Sequence, residues 1–378
     1  IGGVFPDMIG SSRPAPSAGD ILRAHRGEGP GFNALRLYLS ILILAAHSGW
    51  IAGADVSQDW TGLKGILLLS LVPAFFALSG FLVTGSAVRV AAVTPFLGLR
   101  ILRIAPALLV EVTLSAIVLG PLFTTYPLID YVRDIRFIEY FGNIVGRIRF
   151  ELPGVFETNP LPNTVNQNLW TLKPEFYCYI LMALMIGVGV LRHRLLLPFG
   201  LLGLACAGTA AAYRFGFGAQ PGNYHWSVAV LHFLAGCVFY QWRDALKMHW
   251  LLFLGALAAA MLLMAGDREL GFLVAPFLTY CVIYIGLLPL QLPTSINRLD
   301  ISYGIYLYGF PIQQALIAKF AILHGSGALL FAASLPLTII FALLSWLYVE
   351  KPFLRLKRRI VVPAAGPTAE TIAPAAAR

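Results

Sequence analysis

The chain has 378 residues, of which 58% are hydrophobic and only 12% charged, with a mean hydropathy of +0.77. Soluble domains run at about 25% charged residues, so this balance excludes an ordinary soluble enzyme and points to a polytopic membrane protein. The net charge of +9 would suit a nucleic-acid partner, but the basic residues lie mostly in short segments between apolar runs, where they act as topology signals.

Residues 1–32 are rich in Gly, Pro, Ser and Arg and hold no long apolar run. They are expected to form a flexible cytosolic arm and not a secretory leader. Ten apolar runs of membrane length come next, at about 33–51, 64–84, 97–120, 169–190, 195–213, 225–242, 249–266, 270–290, 301–321 and 328–349. Pro276 is expected to kink the eighth. Most Lys and Arg residues fall on the side of the amino terminus, among them Arg89, Arg192, Arg194, Arg243, Lys247, Arg298 and the group Lys351, Arg355, Lys357, Arg358, Arg359. The pattern implies an all-α protein of the cytoplasmic (inner) membrane, with ten transmembrane helices in residues 33–353 and both termini cytosolic. The long outer connection, 121–168, carries mixed charge and ends in the polar run Thr158–Asn168. That run suits either a sugar acceptor or a plain solvated face. Residues 354–378 are basic and then Ala- and Pro-rich, as expected of a disordered tail. Cys178, Cys206, Cys237 and Cys281 sit in apolar runs without metal-like spacing. They are expected to be reduced and packed, and no metal is expected.

Ionisable residues inside membrane spans are costly and tend to be functional. Within the first run Arg36 and His47 enclose ten uncharged residues and lie roughly 16 Å apart along a helix axis. Glu175 lies near the start of the fourth run, which enters from the opposite side, so a carboxylate and an imidazole are expected at similar depth. A carboxylate there would orient His47 as a general base toward a hydroxyl; the plainer account is an ion pair of Glu175 with Lys173 or Arg36. Arg100 and Arg103 lie one turn apart on one helix face, where two planar forks would clamp phosphates or simply anchor the inner face. Ser79 and Gly80 interrupt an apolar run, where small residues let helices approach and Ser79 could lend a hydroxyl to a site.

These stretches together resemble the membrane-bound acyltransferase family 3, which includes bacterial polysaccharide O-acetyltransferases. The spacing from Arg36 to His47 is similar to that family's R-x10-H, Phe75–Leu82 to FFxLSGFL, and Arg100 with Arg103 to RxxR. Trp170–Glu175 resembles WSLxxE with Thr171 for the serine, Ile301–Leu307 resembles ISYxxYL, and Glu350-Lys351-Pro352 resembles the closing E-[RK]-P. Asn33 stands where many members have aspartate, and Gly309 where many have a second histidine.

The resemblance implies transfer of an acyl group, most simply acetyl, from cytosolic acyl-CoA to a carbohydrate hydroxyl on a cell-surface or exported polysaccharide or its lipid-linked precursor. His47, Glu175 and Arg36 would be catalytic, while Arg100, Arg103 and Ser79 would hold acetyl-CoA. Trp170, Tyr303 and Tyr306 would contact substrate. Partners would be the acyl-CoA, the carbohydrate and the bilayer, without nucleic acid. A proton-coupled transporter also fits buried ionisable residues, although no repeat relates the two halves; a non-catalytic partner and acylation of a small lipophilic molecule are the other readings.

Overall fold

The computed structural model describes residues 15–25, 27, 29–56, 61–216, 225–290 and 299–357. Arg298, Arg358, Arg359 and most of the expected tail therefore lie outside the described residues, as do residues 1–14 of the expected arm. No strand occurs among the described residues, only isolated bridges between Ser17 and Lys247 and between Thr124 and Val155.

Each of the ten apolar runs contains a helix. These are α2 (Phe32–Ile51), α3 (Gly62–Val90), α4 (Val93–Leu114), α8 (Leu172–Val188), α9 (Leu196–Phe215), α10 (Trp226–Gln241), α11 (Trp250–Ala265), α12 (Ala275–Leu287), α13 (Ser302–Lys319) and α14 (Gly327–Ser345). Among the described residues, six stretches are long and apolar enough to cross a membrane: Phe32–Ile51, Gly62–Val90, Val93–Phe123, Gln167–Val188, Leu196–Phe215 and Gly327–Arg355. α10, α11 and α12 are apolar but shorter. The eighth run differs from expectation. Residues Arg268–Phe272 form a 3-10 turn, and Pro276 stands in the first turn of α12, where its missing amide hydrogen costs nothing. It starts a helix of 13 residues and kinks none.

Two further expectations are corrected. The arm is folded over α1 (Ala18–Ala24), where Ser17 and Asp20 form a reciprocal capping box. Ile21 and Leu22 are buried there, and the Ala18 and Gly19 amides bond to the Leu246 and Arg243 carbonyls. An apolar i, i+1 pair against the bundle outweighs the loop-forming composition around it. The cysteines are all free, but only Cys178, Cys237 and Cys281 are buried; Cys206 is exposed on α9.

The connection at 121–168 is also folded. It holds α5 (Gly120–Phe123), α6 (Leu128–Arg133), α7 (Ile135–Tyr140) and a 3-10 turn at Phe141–Val145. Tyr131 and Tyr140 are fully buried in it, and its Asn143 bonds to the Arg149 amide and carbonyl. It forms a cap over the His47 end of α2: Leu161 packs with Ile51 and Ala52. On the other side, α14 runs through a π-helical turn, Trp346–Glu350, into α15 (Lys351–Arg355).

The helices fall into two packed groups. α3 packs most extensively on α10, and α13 on α2 and α14. The first contact depends on glycine. A methyl group at Gly80 would overlap the Phe233 carbonyl, and one at Gly236 would overlap the Ala77 carbonyl, so the backbones of α3 and α10 touch at their crossing. We expect Gly80→Ala or Gly236→Ala to cost about 1–3 kcal/mol through overpacking, read as a lower thermal midpoint and folded yield in detergent. Gly203→Ala, facing open space on α9, is the control. Equal midpoints for all three would show that the crossing has room to spare.

Candidate functional site

One cavity of about 180 Å³ opens where the two groups of helices meet. α2 contributes Arg36 and Ile43 to its wall, α4 contributes Arg100, Arg103 and Ile104, and α8 contributes Glu175, Cys178 and Tyr179. α3 supplies an apolar face of Phe75, Phe76, Leu78 and Leu82 together with Ser79, and α13 supplies Ser302, Tyr303 and Tyr306. The cavity is thus polar toward its arginines and apolar along α3.

The arginines sit deeper than expected. α4 begins at Val93, which places Arg103 about 15 Å along the helix and not at its mouth. A guanidinium taken that far from water needs carboxylates. Asp300, immediately before α13, supplies one to two arginines at once: its Oδ2 lies 3.1 Å from Arg36 Nη1 and 2.8 Å from Arg103 Nη2. Glu350 supplies another, with Oε2 at 3.4 Å from Arg103 Nη1. The π-helical turn that carries Glu350 brings its Oε1 to accept from Ser345 Oγ at 3.2 Å, and Ser302 Oγ donates to Asp300 Oδ1 at 3.1 Å.

Arg100 is held differently. Its Nη2 donates to Ser86 Oγ at 3.3 Å, and its guanidinium stands 5.7 Å from the Phe96 ring centre and 6.0 Å from that of Tyr179. Among the described residues it has no carboxylate within salt-bridge distance, and its Nε is buried without a hydrogen-bond partner. Of the three arginines in the cavity it is thus the one that no carboxylate engages among the described residues, and it keeps donors for an anion.

Glu175 faces this arginine cluster. Tyr179, one turn along α8, donates its hydroxyl to Glu175 Oε1. The charges acting on the carboxyl are those of Arg103, Arg100 and Arg36. The expected pairing of Glu175 with His47 is not formed: no hydrogen bond or ion pair joins them among the described residues. Nor do the arginines and Glu175 occupy separate depths, since they line one cavity. The arginines' burial draws the carboxylate toward them.

His47 lies one turn beyond Ile43, just outside the cavity, with its ring 5.5 Å from that of Phe310 in an edge-on contact. Phe310 stands one turn beyond Tyr306, so His47 and Phe310 form the next layer above Ile43 and Tyr306. The imidazole Nδ1 is buried and lacks a well-formed hydrogen bond; the Ile43 carbonyl one turn back is the backbone group it faces.

The remaining expected residues divide. Ser79, Tyr303 and Tyr306 line the cavity. Tyr303 donates to the Ile104 carbonyl at 3.2 Å, with Arg103 over its ring at 5.8 Å. Trp170 is half-buried on the 3-10 turn before α8 and does not line it. Asp300, Glu350, Tyr179 and Thr171 also belong to the site, although the sequence does not single them out. Glu350 and Thr171 lie inside motifs, and Tyr179 stands four residues after Glu175 on the same helix face; Asp300, just before a motif, gives no signal of its own. The two departures also find their place. Arg36 is neutralised by Asp300, so its partner is not at position 33. Gly309 lets α13 close on α2: a Cβ there would lie 2.6 Å from Leu44 Cδ1.

A bundle of apolar helices around a cavity with a charged end defines a multi-pass membrane protein. The sequence matches the acyltransferase-3 family, described as an acyltransferase domain, over residues 30–347, and the chain belongs to that family. It is 26% identical over 344 residues to an O-acetyl transferase of Shigella phage Sf6, covering 85% of this chain and 95% of that one. It is 25% identical over 380 residues to nodulation protein 10 of Rhizobium leguminosarum bv. viciae, covering 89% of this chain and 96% of that one. No protein of solved structure matches it.

Replacing Asp300 with Ala leaves Arg36 and Arg103 without their shared carboxylate. Removing one partner of a buried pair costs about 3–5 kcal/mol, so Asp300→Ala should lose folded protein and lower the thermal midpoint. A wild-type midpoint would show that the ion pairs do not hold these helix ends.

Proposed function

We propose that this protein is an integral membrane O-acyltransferase that moves an acyl group, acetyl in the simplest case, from acyl-CoA to a carbohydrate hydroxyl. The observation that carries the reading is the cavity itself, with an arginine cluster at one end and an apolar wall along α3. A phosphate-bearing donor would place its charge on the planar forks, Arg100 first because its donors are the least committed. Its thioester arm would run along Phe75, Phe76 and Leu78 toward the layer of His47. The phage relative's name supports acetyl as the group and oxygen as its destination. We place the protein in the cytoplasmic membrane with ten spans and both termini cytosolic, so that the donor enters from the arginine side and the acceptor from the capped side.

In the proposed reaction His47 takes the proton from the acceptor hydroxyl as its oxygen attacks the thioester carbonyl. The tetrahedral oxyanion forms beside Tyr306 and the arginine cluster, whose positive field favours it. The carbon–sulfur bond then breaks, and the imidazolium returns its proton to the CoA thiolate. The products are an ester and free CoA. Glu175 stands apart from His47, so its part is to hold Tyr179 and balance the guanidinium charge. Arg36 and Arg103, locked to Asp300, fix the chamber's charged end.

Purified protein given radiolabelled acetyl-CoA and a carbohydrate acceptor tests this directly. Arg100→Ala should raise the KM for acetyl-CoA roughly tenfold or more, the worth of one charge-assisted hydrogen bond, with folded yield preserved. Arg100→Lys should recover part of the loss, being a point charge without the fork. Arg103→Ala should instead lose folded protein, since it leaves the buried Glu350 unpaired and Asp300 with Arg36 alone. Failure of the native protein to consume acetyl-CoA would remove the donor assignment. For the chemistry, His47→Gln should lower kcat by roughly 10²–10⁴-fold per folded molecule, and a variant with wild-type turnover would dismiss His47 as the base.

A further inference from the structure

The polar run at the end of the cap is solvated only in part: Thr158 and Asn163 are exposed, while its last asparagines turn inward. Asn166 is fully buried and Asn168 nearly so, at 0% and 4% exposed. The reason lies in α13, which carries Pro311 in its interior. Proline has no amide hydrogen, so the carbonyl four residues earlier, that of Leu307, receives no helical bond. Asn166 fills the gap by donating from Nδ2 to Leu307 O at 2.9 Å. The second proton of that amide goes to Glu111 Oε1, also at 2.9 Å, a carboxyl buried in α4 that accepts from Ser115 Oγ as well. Asn168 takes the neighbouring carbonyl, donating from Nδ2 to Tyr306 O at 2.7 Å. The two residues act as one unit, because Asn166 Oδ1 accepts from the Asn168 main-chain N–H at 3.2 Å.

The unit reaches the cavity through one atom, the Asn168 carbonyl oxygen. It accepts from the Tyr306 hydroxyl and from Thr171 Oγ1 at 3.3 Å, and these two hydroxyls also meet each other. Tyr306 and Thr171 both line the cavity. An independent fastening higher on α13 keeps the cap in register: Gln314 Nε2 donates to the Leu161 and Thr164 carbonyls at 2.9 and 2.6 Å, and its Oε1 accepts from Asn159.

We infer that Asn166 and Asn168 are positioning residues: through the Leu307 carbonyl that Pro311 leaves open on α13 and the Tyr306 carbonyl beside it, they fix the Tyr306 hydroxyl and Thr171 at the cavity wall. The cap thereby sets the shape of the chamber it covers. The catalytic consequence rests on the acyl-transfer reading above; the geometric claim stands without it, and the test separates the two.

The experiment uses the full-length protein in detergent with Cys206→Ser, so that the exposed thiol does not compete. Cys178 lines the cavity, and its rate of modification by N-ethylmaleimide, followed by peptide mass, reports the cavity wall without any turnover. Asn166→Leu and Asn168→Leu keep the size and remove the donors, while Pro311→Ala gives Leu307 O its helical partner back. Each should speed Cys178 modification roughly tenfold, as expected on losing a buried hydrogen bond. The double variant Asn166→Leu with Pro311→Ala should be no faster than either alone, since both remove the same bond. In acetyl transfer, kcat should fall roughly 10- to 100-fold from misplaced groups, with KM for acetyl-CoA unchanged because Arg100 is untouched. A wild-type Cys178 rate in the leucine variants, or additive effects in the double variant, would overturn the inference. A lower thermal midpoint with wild-type kcat and wild-type Cys178 rate would also overturn it, by reducing the pair to a fastening. Should the leucine variants not fold, Pro311→Ala, which only restores regular helix, decides alone. Should no acetyl transfer be found in the native protein, the Cys178 rates still decide the geometry.

Discussion

A guanidinium cannot be carried into a bundle of apolar helices without a carboxylate to meet it, and Asp300 meets that requirement for two arginines at once. With Glu350 on the far side of Arg103, it ties together the start of α2, the middle of α4, the approach to α13 and the end of α14. No pair of these segments is close in sequence; Arg36 and Asp300 are separated by 264 positions. The cavity exists where it does because these helices are held at their charged ends while α3 and α10 lock to each other at the glycine crossing. One group is fixed by charge and the other by close backbone contact, and the cavity lies between them.

Both π-helical turns accompany buried carboxyls. Trp346–Glu350 ends on Glu350, and Ser115–Leu119 begins at the serine that bonds Glu111. A π turn adds a residue to the helical repeat and rotates the next stretch of helix about its axis. Such a rotation turns a side chain inward from a helix that otherwise faces lipid, with exposed Leu344 and Leu347 nearby on α14 and its π turn. Ionisable groups thus enter the bundle by local changes in helix winding as well as by their spacing.

The legibility of each feature in the sequence depends on the range over which its signal acts. The ten helices are readable because apolar runs of membrane length are local and strong. Their ends are not, and a four-residue error at the start of α4 is enough to misplace Arg103 by about 6 Å and move it from the surface into the chamber. Arg36, Arg100, Arg103, Glu175, Tyr303 and Tyr306 stand out as residue types and do gather around one cavity. Their partnerships do not stand out, because which carboxylate meets which arginine depends on helix rotation and long-range packing that spacing along one chain does not encode. The Asn166 and Asn168 amides read as solvent-facing for a related cause. A polar run is ordinarily wet, and it is Pro311, far along the chain, that frees the Leu307 carbonyl to which Asn166 is drawn.

The glycine at position 309 constrains how this chain could change over generations. A side chain there would press on Leu44, which is itself only 3% exposed, and beyond it on Thr338. Leu44 would have to turn aside or become smaller, and a small residue at 44 beside Gly309 would leave a void between α2 and α13 costing about 2–5 kcal/mol. The sizes at the two positions are therefore coupled, and a substitution at one changes what fits at the other.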